Sequence, residues 1–218
     1  YLHEVLDTWW VNEVQPRLRG RATLARYADD FVIVFAREDD AHRVQDVLPK
    51  RFGKYGLTLH PDKTRLVPFR RPPGGPRSPG SPSGEPPGSF DFLGFNHHWE
   101  RSLRGRWVPK QTTAKSRFSR ACRAITQWCR GARHWPIVEQ ARMLGLKLKG
   151  HYQYYGITGN SKALLRFFRR VRYEWWKWLG RRSQRARLPW PTYHRLLKRF
   201  PLPPPIAVHS RLRRTVKP

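Results

Sequence analysis

The chain has 218 residues, of which 39% are hydrophobic and 13% aromatic, a composition typical of a folded protein and not of a disordered tail. Its formal net charge is +29, and no apolar run approaches the ~20 residues that a membrane span requires. Residues 1–100 hold 14 basic and 13 acidic side chains, whereas residues 101–218 hold 30 basic side chains and only Glu139 and Glu174 as acids.

The charge of residues 101–218 calls for a polyanionic partner, since ordinary protein surfaces mix both signs. Arginine outnumbers lysine in the chain, and the guanidinium group suits bidentate contacts with phosphate. We therefore expect this half to bind nucleic acid. An anionic membrane is the weaker alternative, because no single amphipathic basic helix stands out.

The sequence before the first Pro-rich segment alternates between helical and strand patterns. Residues 1–15 carry apolar side chains at i, i+3, i+4, i+7 and i+8, which predicts a helix with one apolar face. Residues 21–28 and 31–36 predict two short strands. An amphipathic helix is expected over residues 40–55, and residues 56–69 have the pattern of a strand, a Pro-Asp turn and a second strand.

A Pro/Gly/Ser-rich segment interrupts this pattern. Residues 71–89 contain 7 Pro, 5 Gly and 4 Ser in 19 positions, which leaves no apolar side chains for a core and predicts a disordered loop. The sequence FDFLGF follows at residues 90–95 and is expected to form a compact apolar strand. Because order resumes at once, we interpret the loop as an insertion in a hairpin and not as a domain boundary.

The chain beyond about residue 110 is predicted to be helical. The expected helices are Lys115–Cys129, Pro136–Tyr154, Lys162–Leu179 and residues 191–199. Asn160 or Ser161 can cap the third helix, and a Pro-rich tail follows the fourth. The fold class is therefore α+β, with a basic three-helix bundle in the second half. Its segments HYQYYG and YEWWKW interleave aromatic and basic residues, and these rings can stack on bases or on each other in the core.

Two cysteines bear on the compartment. Cys122 and Cys129 would lie about 10 Å apart in a helix, beyond the ~7 Å limit for a disulfide. We predict that they are buried, unpaired side chains in a reducing compartment. The chain opens on Tyr1 without a signal peptide, so a cytoplasmic, nucleic-acid-associated fragment of a longer bacterial chain is expected.

Asp29 and Asp30 form an acidic pair inside the apolar sequence LARYADDFVIVFARE. Residues 27–30 are expected to form the turn between the two strands, with the carboxylates pointing to different sides. Adjacent carboxylates are tolerated where divalent cations neutralise them, and two Mg²⁺ ions ~3.5–4 Å apart support phosphoryl transfer. Asp pairs are also common in ordinary turns, so the pair alone leaves both interpretations open.

The setting of this pair resembles a known family. YADD flanked by Arg26 and FVIVF resembles the catalytic hairpin of reverse transcriptases, and Ala28 is the form typical of group II intron enzymes and related bacterial ones. Further segments resemble, in order, blocks of group II intron reverse transcriptase/maturases: YLHEVLDTWW, GLTLHPDKTR, FDFLGF, HYQYYGITGN, FRRVRYEWWKWLGRRSQ and PLPPPI. The resemblance covers nearly the whole chain except residues 71–89.

The resemblance implies an antiparallel palm-type sheet with packed helices, as in right-hand polymerases, followed by a basic three-helix thumb bundle. Residues 1–110 would be the C-terminal part of the palm, residues 111–187 the thumb or maturase-specific domain, and residues 188–218 a basic Pro-rich extension. The implied activity is RNA-directed DNA synthesis from dNTPs on an RNA template with a DNA primer, using two Mg²⁺ ions. The implied partner is group II intron RNA, bound to assist splicing and mobility; no membrane partner is expected, and a homodimer is left open.

The resemblance also carries over site residues. Asp29 and Asp30 would be catalytic metal ligands, and Lys63 would lie near the triphosphate as a cation or proton donor, unless it is a surface lysine beside a turn. The candidates for primer contact are Tyr27, Ala28, Phe92, Leu93 and Gly94. The candidates for nucleic-acid contact are Lys115, Arg117, Arg120, Lys147, Lys149, Lys162, Arg166, Arg169, Arg170 and Arg172.

The sequence also departs from the family pattern. A further catalytic carboxylate is expected upstream, outside these residues, and no Cys/His cluster predicts an endonuclease domain. One alternative is therefore a non-enzymatic RNA-binding splicing factor with an incomplete polymerase site. Another, a ribosomal-type structural protein, would explain the charge of residues 101–218 but not the acidic hairpin.

Overall fold

Helices and antiparallel strands fall into two compact units in the computed structural model, which describes residues 1–72, 88–102, 104–183 and 187–209. The first unit comprises Tyr1–Leu93 and His97–Pro109, and the second comprises Gly94–Asn96 and Lys110–Pro218. The predicted α+β class is confirmed. Residues 73–87 of the predicted loop, and the end of the predicted Pro-rich extension, lie outside the described residues.

The first unit begins with short helical segments and continues with a hairpin and a long helix. In chain order these are π-helical turns at His3–Thr8 and Trp10–Val14, a 3-10 turn at Gln15–Arg17, strand β1 (Ala22–Tyr27), strand β2 (Asp30–Phe35) and helix α1 (Glu38–Lys54). The helix, strand pair and helix predicted from the sequence are therefore all present. The first helix differs in its wider π-type turns.

The core of this unit lies between one face of the hairpin and the two helical segments. Antiparallel pairing sets Ala22 opposite Phe35 and Leu24 opposite Ile33, which places apolar side chains on one face. That face packs with buried residues of the N-terminal turns and of α1: Leu6, Trp9, Trp10, Val14, Val44, Leu48 and Phe52. The apolar spacing of the sequence thus determines which side of the hairpin is covered.

The two strands predicted within residues 56–69 are not formed, and this prediction is wrong. The chain there is irregular apart from one turn, in which the backbone N–H groups of Lys63 and Thr64 donate to the carbonyl of His60. Pro61 and Pro68 lack the N–H that a strand ladder needs, which limits pairing of this segment. The carbonyl of Pro68 instead accepts a hydrogen bond from Gly88.

FDFLGF is a hairpin and not the single strand that was predicted. Strand β3 (Phe90–Phe92) leads into strand β4 (Phe95–Arg101) through a two-residue turn at Leu93 and Gly94, with φ of 49° and 77°. Positive φ at both positions is the geometry of a type I′ hairpin turn. Strand β5 (Trp107–Thr113), which the sequence analysis did not predict, completes a sheet of order β3-β4-β5.

The second unit is helical, in agreement with the periodicity of its sequence. Its helices are α2 (Lys115–Gly131), α3 (Ile137–Tyr155), α4 (Ser161–Leu179) and α5 (Trp190–Arg199). The core contains fully buried side chains from α3 and α4, among them Leu144, Leu148, Val171 and Trp175. Tyr193 of α5 and Leu202 of the following segment are also buried in it, so residues 190–202 belong to the same core.

Buried polar side chains tie the ends of these helices together. The Asn160 Oδ1 accepts from the Thr113 backbone N–H at 3.0 Å, and its Nδ2 donates to the Thr113 hydroxyl and the Tyr155 carbonyl. Asn160 stands at the N-cap position of α4 but makes no side-chain cap hydrogen bond, so its predicted capping role is wrong. Hydrogen bonding to the buried polar groups of Thr113 and Tyr155, at the ends of β5 and α3, is more favourable for Asn160 than a local cap on α4.

The two cysteines are free, as predicted. Cys129 is buried, and Cys122 is half-buried. Burial raises the pKa of both thiols, that of Cys129 to about 12. Cys129 is therefore held as an unreactive thiol in the core.

The stability of the second unit is expected to fall between pH 6.5 and pH 4 because of His151. Its ring stacks on Phe167 at 3.9 Å and contacts Tyr155 at 4.7 Å, and burial lowers its pKa from 6.5 to about 4. The unfolded chain then binds a proton that the folded chain does not, so the contribution is present above pH 6.5 and is lost as pH falls through 4. The expected loss, discounted for partial exposure, is about 1–3 kcal/mol.

Urea unfolding at pH 7 and pH 4.5, followed by tryptophan fluorescence, measures this loss. His151→Gln is the control, since it removes the titration and leaves all other ionisable groups in place. The pH-dependent loss should be smaller in the variant than in the parent chain. Equal losses in the two proteins would show that His151 does not contribute.

Candidate functional site

The acidic pair lies at the exposed end of the β1–β2 hairpin. Tyr27 and Asp30 are paired across the strands, and Ala28 and Asp29 form the two-residue turn between them. All four residues are exposed, Tyr27 to 69%, so neither carboxylate is desolvated by the fold. Ala28 has a φ of 54°, in the left-handed region that non-glycine residues adopt at a cost.

Hydrogen bonds from Arg26 connect this turn to the N-terminal helical segment. Arg26 donates from Nε to Asp7 Oδ1 at 2.7 Å and from Nη2 to Asp7 Oδ2, a bidentate pair. The same guanidinium donates from Nη1 to the carbonyl of Ala28 at 2.8 Å. The hydrogen bonds from Arg26 hold the pKa of Asp7 below its usual range. Arg26 therefore connects a helix to the peptide that precedes Asp29.

The register of the hairpin separates its covered face from its open face. Arg26 lies opposite Phe31 on the covered face, whereas Tyr27 and Asp30 lie on the other face. Val34 on that second face is 55% exposed. The hairpin thus presents Tyr27 and Asp30 on an open surface and places Asp29 in the turn at its tip. That the two carboxylates point to different sides stays a prediction.

Lys63 occupies a separate turn in the same unit. It is exposed and follows Pro61 and Asp62 in the predicted Pro-Asp turn. Within the described residues of this unit, no hydrogen bond or ion pair joins Lys63 to Asp29 or Asp30. The fold thus brings the four residues of the acidic turn together, and Lys63 lies in a different turn of the same unit.

Phe92, Leu93 and Gly94 form the end of β3 and the turn of the β3–β4 hairpin. Gly94 accepts a hydrogen bond from the backbone N–H of Ala114 at 3.0 Å. A Cβ at Gly94 would lie 3.1 Å from the Tyr155 hydroxyl oxygen, and the positive φ at this position also disfavours other residues. The close approach at Gly94 therefore serves contacts within the protein itself.

The acidic turn supplies only part of a metal site. Among the described residues, no group of three or more His, Cys, Asp and Glu side chains is placed to hold a metal ion. Asp29 and Asp30 nevertheless offer exposed, adjacent carboxylate oxygens, the ligand type that Mg²⁺ prefers. The donor set fits a metal that takes its remaining ligands from substrate phosphates, water or another carboxylate.

One known family model matches the part of the chain that contains the acidic turn. Residues 5–97 match the family model described as Reverse transcriptase (RNA-dependent DNA polymerase). The match includes the acidic turn, Lys63 and Phe92–Gly94, but it spans less than half of the chain. No curated protein matches the sequence significantly.

The matched region contains both the exposed carboxylates of the turn and the apolar hairpin that carries them. Sequence reasoning identified the carboxylates but missed the pairing of Asp7 with Arg26. A signal was available, because Arg26 interrupts the inward-facing series begun by Ala22 and Leu24, and Asp7 adjoins the apolar helix face.

The ten basic candidates all belong to α2, α3 and α4. All of them are exposed except Arg172, which is half-buried. Three of them, Arg166, Arg169 and Arg170, line an open groove of about 680 Å³ between α2 and α4. Phe118, Ser119, Cys122 and Tyr173 form the rest of its lining. The groove therefore combines three guanidinium groups with aromatic walls.

Both carboxylates of residues 101–218 are already held by arginines. Glu174 is fully buried, with Oε1 2.7 Å from Arg170 Nη2 and Oε2 accepting from Trp178 Nε1. Glu139 pairs with Arg142 at 2.9 Å. Two acids cannot neutralise the 30 basic side chains of residues 101–218, so this part of the chain carries a large excess of positive charge. No helix in the described part of the chain is long and apolar enough to cross a membrane.

Proposed function

We propose that the chain carries the catalytic turn and the nucleic-acid-holding helical unit of a reverse transcriptase of group II intron type. The observation that carries this proposal is the exposed Asp29–Asp30 turn inside the reverse transcriptase match. The substrates are dNTPs and an RNA template with a DNA primer. The same protein binds group II intron RNA as a maturase and assists its splicing.

The chemistry of the turn is nucleotidyl transfer. Two Mg²⁺ ions, when bound, supply charge stabilisation for the attacking and leaving oxygens. Asp29 and Asp30 provide carboxylate ligands for them, and a third carboxylate from elsewhere in the protein completes the site. The excess negative charge of the pair, which has no ionic partner among the described residues, suits it to a divalent cation and to the phosphates it carries.

Other residues orient the substrates around this turn. Tyr27, on the same open face as Asp30, lines the primer end, together with Ala28. Lys63 in its exposed turn meets the triphosphate and stabilises the departing pyrophosphate. Phe92, Leu93 and Gly94 lie on the primer side. A separate observation, the hydrogen bond from the Ala114 N–H to the Gly94 carbonyl, supports a fixed position for that hairpin tip.

The basic helical unit grips the nucleic acid. The ten candidate lysines and arginines of α2, α3 and α4 contact the phosphate backbone, which positions a strand without reading its sequence. Intron RNA is recognised through the same positive surface, largely by shape and backbone. This assignment is supported by the charge excess of residues 101–218 and by the guanidinium-lined groove.

A second candidate function is an RNA-binding splicing factor without polymerase activity. It is favoured by the absence of a third metal-ligating carboxylate near the acidic turn in the described residues. The deciding assay measures primer extension on an RNA template and intron splicing in parallel, using the protein with whatever polypeptide precedes residue 1 in its reading frame. Extension supports the polymerase, whereas splicing without extension supports the splicing factor.

Substituting Arg26 by lysine is expected to slow primer extension about 10- to 100-fold. Lysine keeps the charge but cannot donate at once to both Asp7 oxygens and to the Ala28 carbonyl. The turn then loses its link to the helix, and a displacement of about 1 Å at a reacting centre costs up to ~10²-fold. The measurement is single-turnover extension, with RNA affinity determined separately.

Arg37→Lys is the matched control. Arg37 forms a similar bidentate pair with Asp39, both contacts at 2.9 Å, at the opposite end of β2. This variant should extend primers at the parent rate. If Arg26→Lys and Arg37→Lys behave alike, Arg26 has no positioning role in the turn.

A further inference from the structure

One face of α4 changes character along its length. Arg166, Arg169 and Tyr173 recur at spacings of three and four residues, which places them in one stripe, and Trp176 continues it. The two arginines and Tyr173 line the groove beside α2. Beyond Tyr173 the stripe consists of rings: Tyr173 contacts Trp176 with ring centroids 5.7 Å apart. Along this stripe, the arginine side chains are therefore followed directly by an aromatic surface.

Trp190 of α5 completes this surface. Its ring stacks on Trp176 at 4.5 Å with an interplanar angle of 13°. It also meets Tyr193 edge-on at 5.9 Å and lies 6.0 Å from the ring of His194. Trp190 nevertheless remains 46% exposed. Trp190 therefore presents an apolar surface that the described residues leave open, and this surface continues the stripe of α4.

Hydrogen bonds hold the rings on which Trp190 packs. Trp176 donates from Nε1 to the carbonyl of Leu188 at 2.8 Å, which fixes the inner ring of the stack. Tyr193 is fully buried and donates its hydroxyl proton to the carbonyl of Arg172 at 2.7 Å. Binding another ring on Trp190 would thus require little ordering of the protein, which favours affinity.

The charged side chains beside this aromatic surface indicate which kind of partner can bind there. Glu174, the acidic residue of α4, is buried and paired with Arg170, so the exposed groups along the stripe are guanidinium groups and rings. Phosphates suit the first and nucleobases suit the second, which is the combination found where proteins hold single strands. A duplex keeps its bases stacked inside, so away from the ends of a helix only an unpaired base can reach Trp190.

We propose that Trp190 is a stacking platform for an unpaired base of single-stranded RNA, whose phosphates lie on Arg166 and Arg169. At ~1.5 Å rise per residue, Arg169 and Trp176 are about 10 Å apart along α4, a distance that one or two nucleotides span. The inference rests on the proposed function and deepens it. In the proposed function, the basic helical unit contacts the phosphate backbone. The platform adds recognition of an unpaired segment, which either folded RNA or a template overhang can provide.

The test compares two probes of equal length, a 12-nucleotide unstructured RNA and a blunt 12-base-pair RNA duplex. Binding to the 218-residue chain is measured by fluorescence anisotropy without dNTPs or metal. Trp190→Ala should weaken binding of the single strand about 5- to 100-fold and change binding of the duplex less than about twofold. Trp190→Tyr should retain most of the single-strand affinity, because it keeps an aromatic face.

Two further variants make the test specific. Trp135, which is 48% exposed and contacts Trp128 edge-on at 6.1 Å, lies outside the stripe, so Trp135→Ala should leave both affinities unchanged. Arg169→Ala should weaken both probes and lower the salt slope of binding by about 0.7–0.9. A hairpin with an unpaired loop and a duplex with an overhang then tell the two RNA sources apart.

Several results would overturn the platform. These are equal losses for Trp190→Ala and Trp135→Ala, an equal loss for duplex and single strand, or failure of Trp190→Tyr in a chain whose thermal melt matches the parent. None of these depends on catalysis. A protein that shows the Trp190 effect but never extends a primer would reject the polymerase proposal alone.

Discussion

Asparagine in place of Asp29 or Asp30 is expected to reduce primer extension about 10³-fold or more, while RNA binding stays within about twofold of the parent. The amide keeps the shape of the side chain but removes the negative charge that a divalent cation requires. Metal ions contribute several kcal/mol to transition-state stabilisation, and each 1.36 kcal/mol corresponds to a factor of ten in rate. Both residues are exposed, so the fold should tolerate either change.

The experiment measures single-turnover extension of a DNA primer on an RNA template over a range of Mg²⁺ concentrations. Asp46→Asn is the matched control, because Asp46 is an exposed carboxylate on α1 outside the acidic turn. The control should extend at the parent rate. In the turn variants, the rate should fall at every metal concentration, and KM for dNTP should change less than kcat.

A rate that stays within twofold of the parent in both turn variants would exclude the metal-ligand role. If the parent protein itself promotes splicing without extending primers, the splicing-factor alternative is correct instead. Loss of RNA binding in the turn variants would indicate misfolding, which a thermal melt detects. The three outcomes are separate, so the result assigns the function of the turn.

The parts of the fold that the sequence predicted are those with long, regular periods. Helices α2, α3 and α4 each repeat apolar positions over several turns, so tertiary contacts do not need to be known to locate them. The β1–β2 hairpin was predicted for a different reason, since an Asp-containing turn separates two short runs of strand-forming residues. Short segments lacked this redundancy.

FDFLGF illustrates the failure for short segments. Six mostly apolar residues fit one buried strand as well as two strand ends, and periodicity cannot distinguish these. The turn depends on a left-handed Leu93, which no propensity rule favours at that position. Gly94 was the available signal, because a glycine in a strand pattern often marks a turn or bulge.

Side-chain hydrogen bonds between distant segments could not be predicted from the sequence either. Asn160 has a good local reason to cap α4, yet it bonds Thr113 and Tyr155 instead. The Arg26–Asp7 pair requires knowledge of how the N-terminal helix packs on the hairpin. Such contacts follow from tertiary packing and not from local propensity, whereas the two carboxylates of the turn could be singled out because they are adjacent in the sequence and lie within an apolar segment.

Alanine at Gly156 is expected to destabilise the second unit by at least about 3 kcal/mol. Gly156 ends α3 with φ −76° and ψ 54°, the inverse γ-turn geometry, and the Ile157 N–H donates to the Tyr155 carbonyl. A Cβ there would lie 2.2 Å from the Tyr152 carbonyl oxygen and 3.0 Å from the Ile206 carbonyl oxygen. These are backbone atoms, so no rotamer change can relieve the clash.

The clash falls where the segment after α5 is attached to the bundle. The His209 N–H donates to the Gly156 carbonyl at 2.8 Å, and its carbonyl accepts from Thr158. Tyr152 also donates from its hydroxyl to the Pro203 carbonyl at 3.2 Å. We therefore expect Gly156→Ala to lower the urea midpoint of the helical unit and to remove the hydrogen-exchange protection of the His209 and Thr158 amides.

Gly150→Ala is the matched control, because Gly150 lies in the same helix with no atom within 4 Å of a Cβ placed there. That change should stabilise the unit by about 0.5–1 kcal/mol through helix propensity. Opposite signs for the two substitutions would show that the turn at Gly156, and not helix content, anchors residues 201–209. A Gly156→Ala protein with the parent midpoint and protected His209 amide would mean that this segment does not pack on α3.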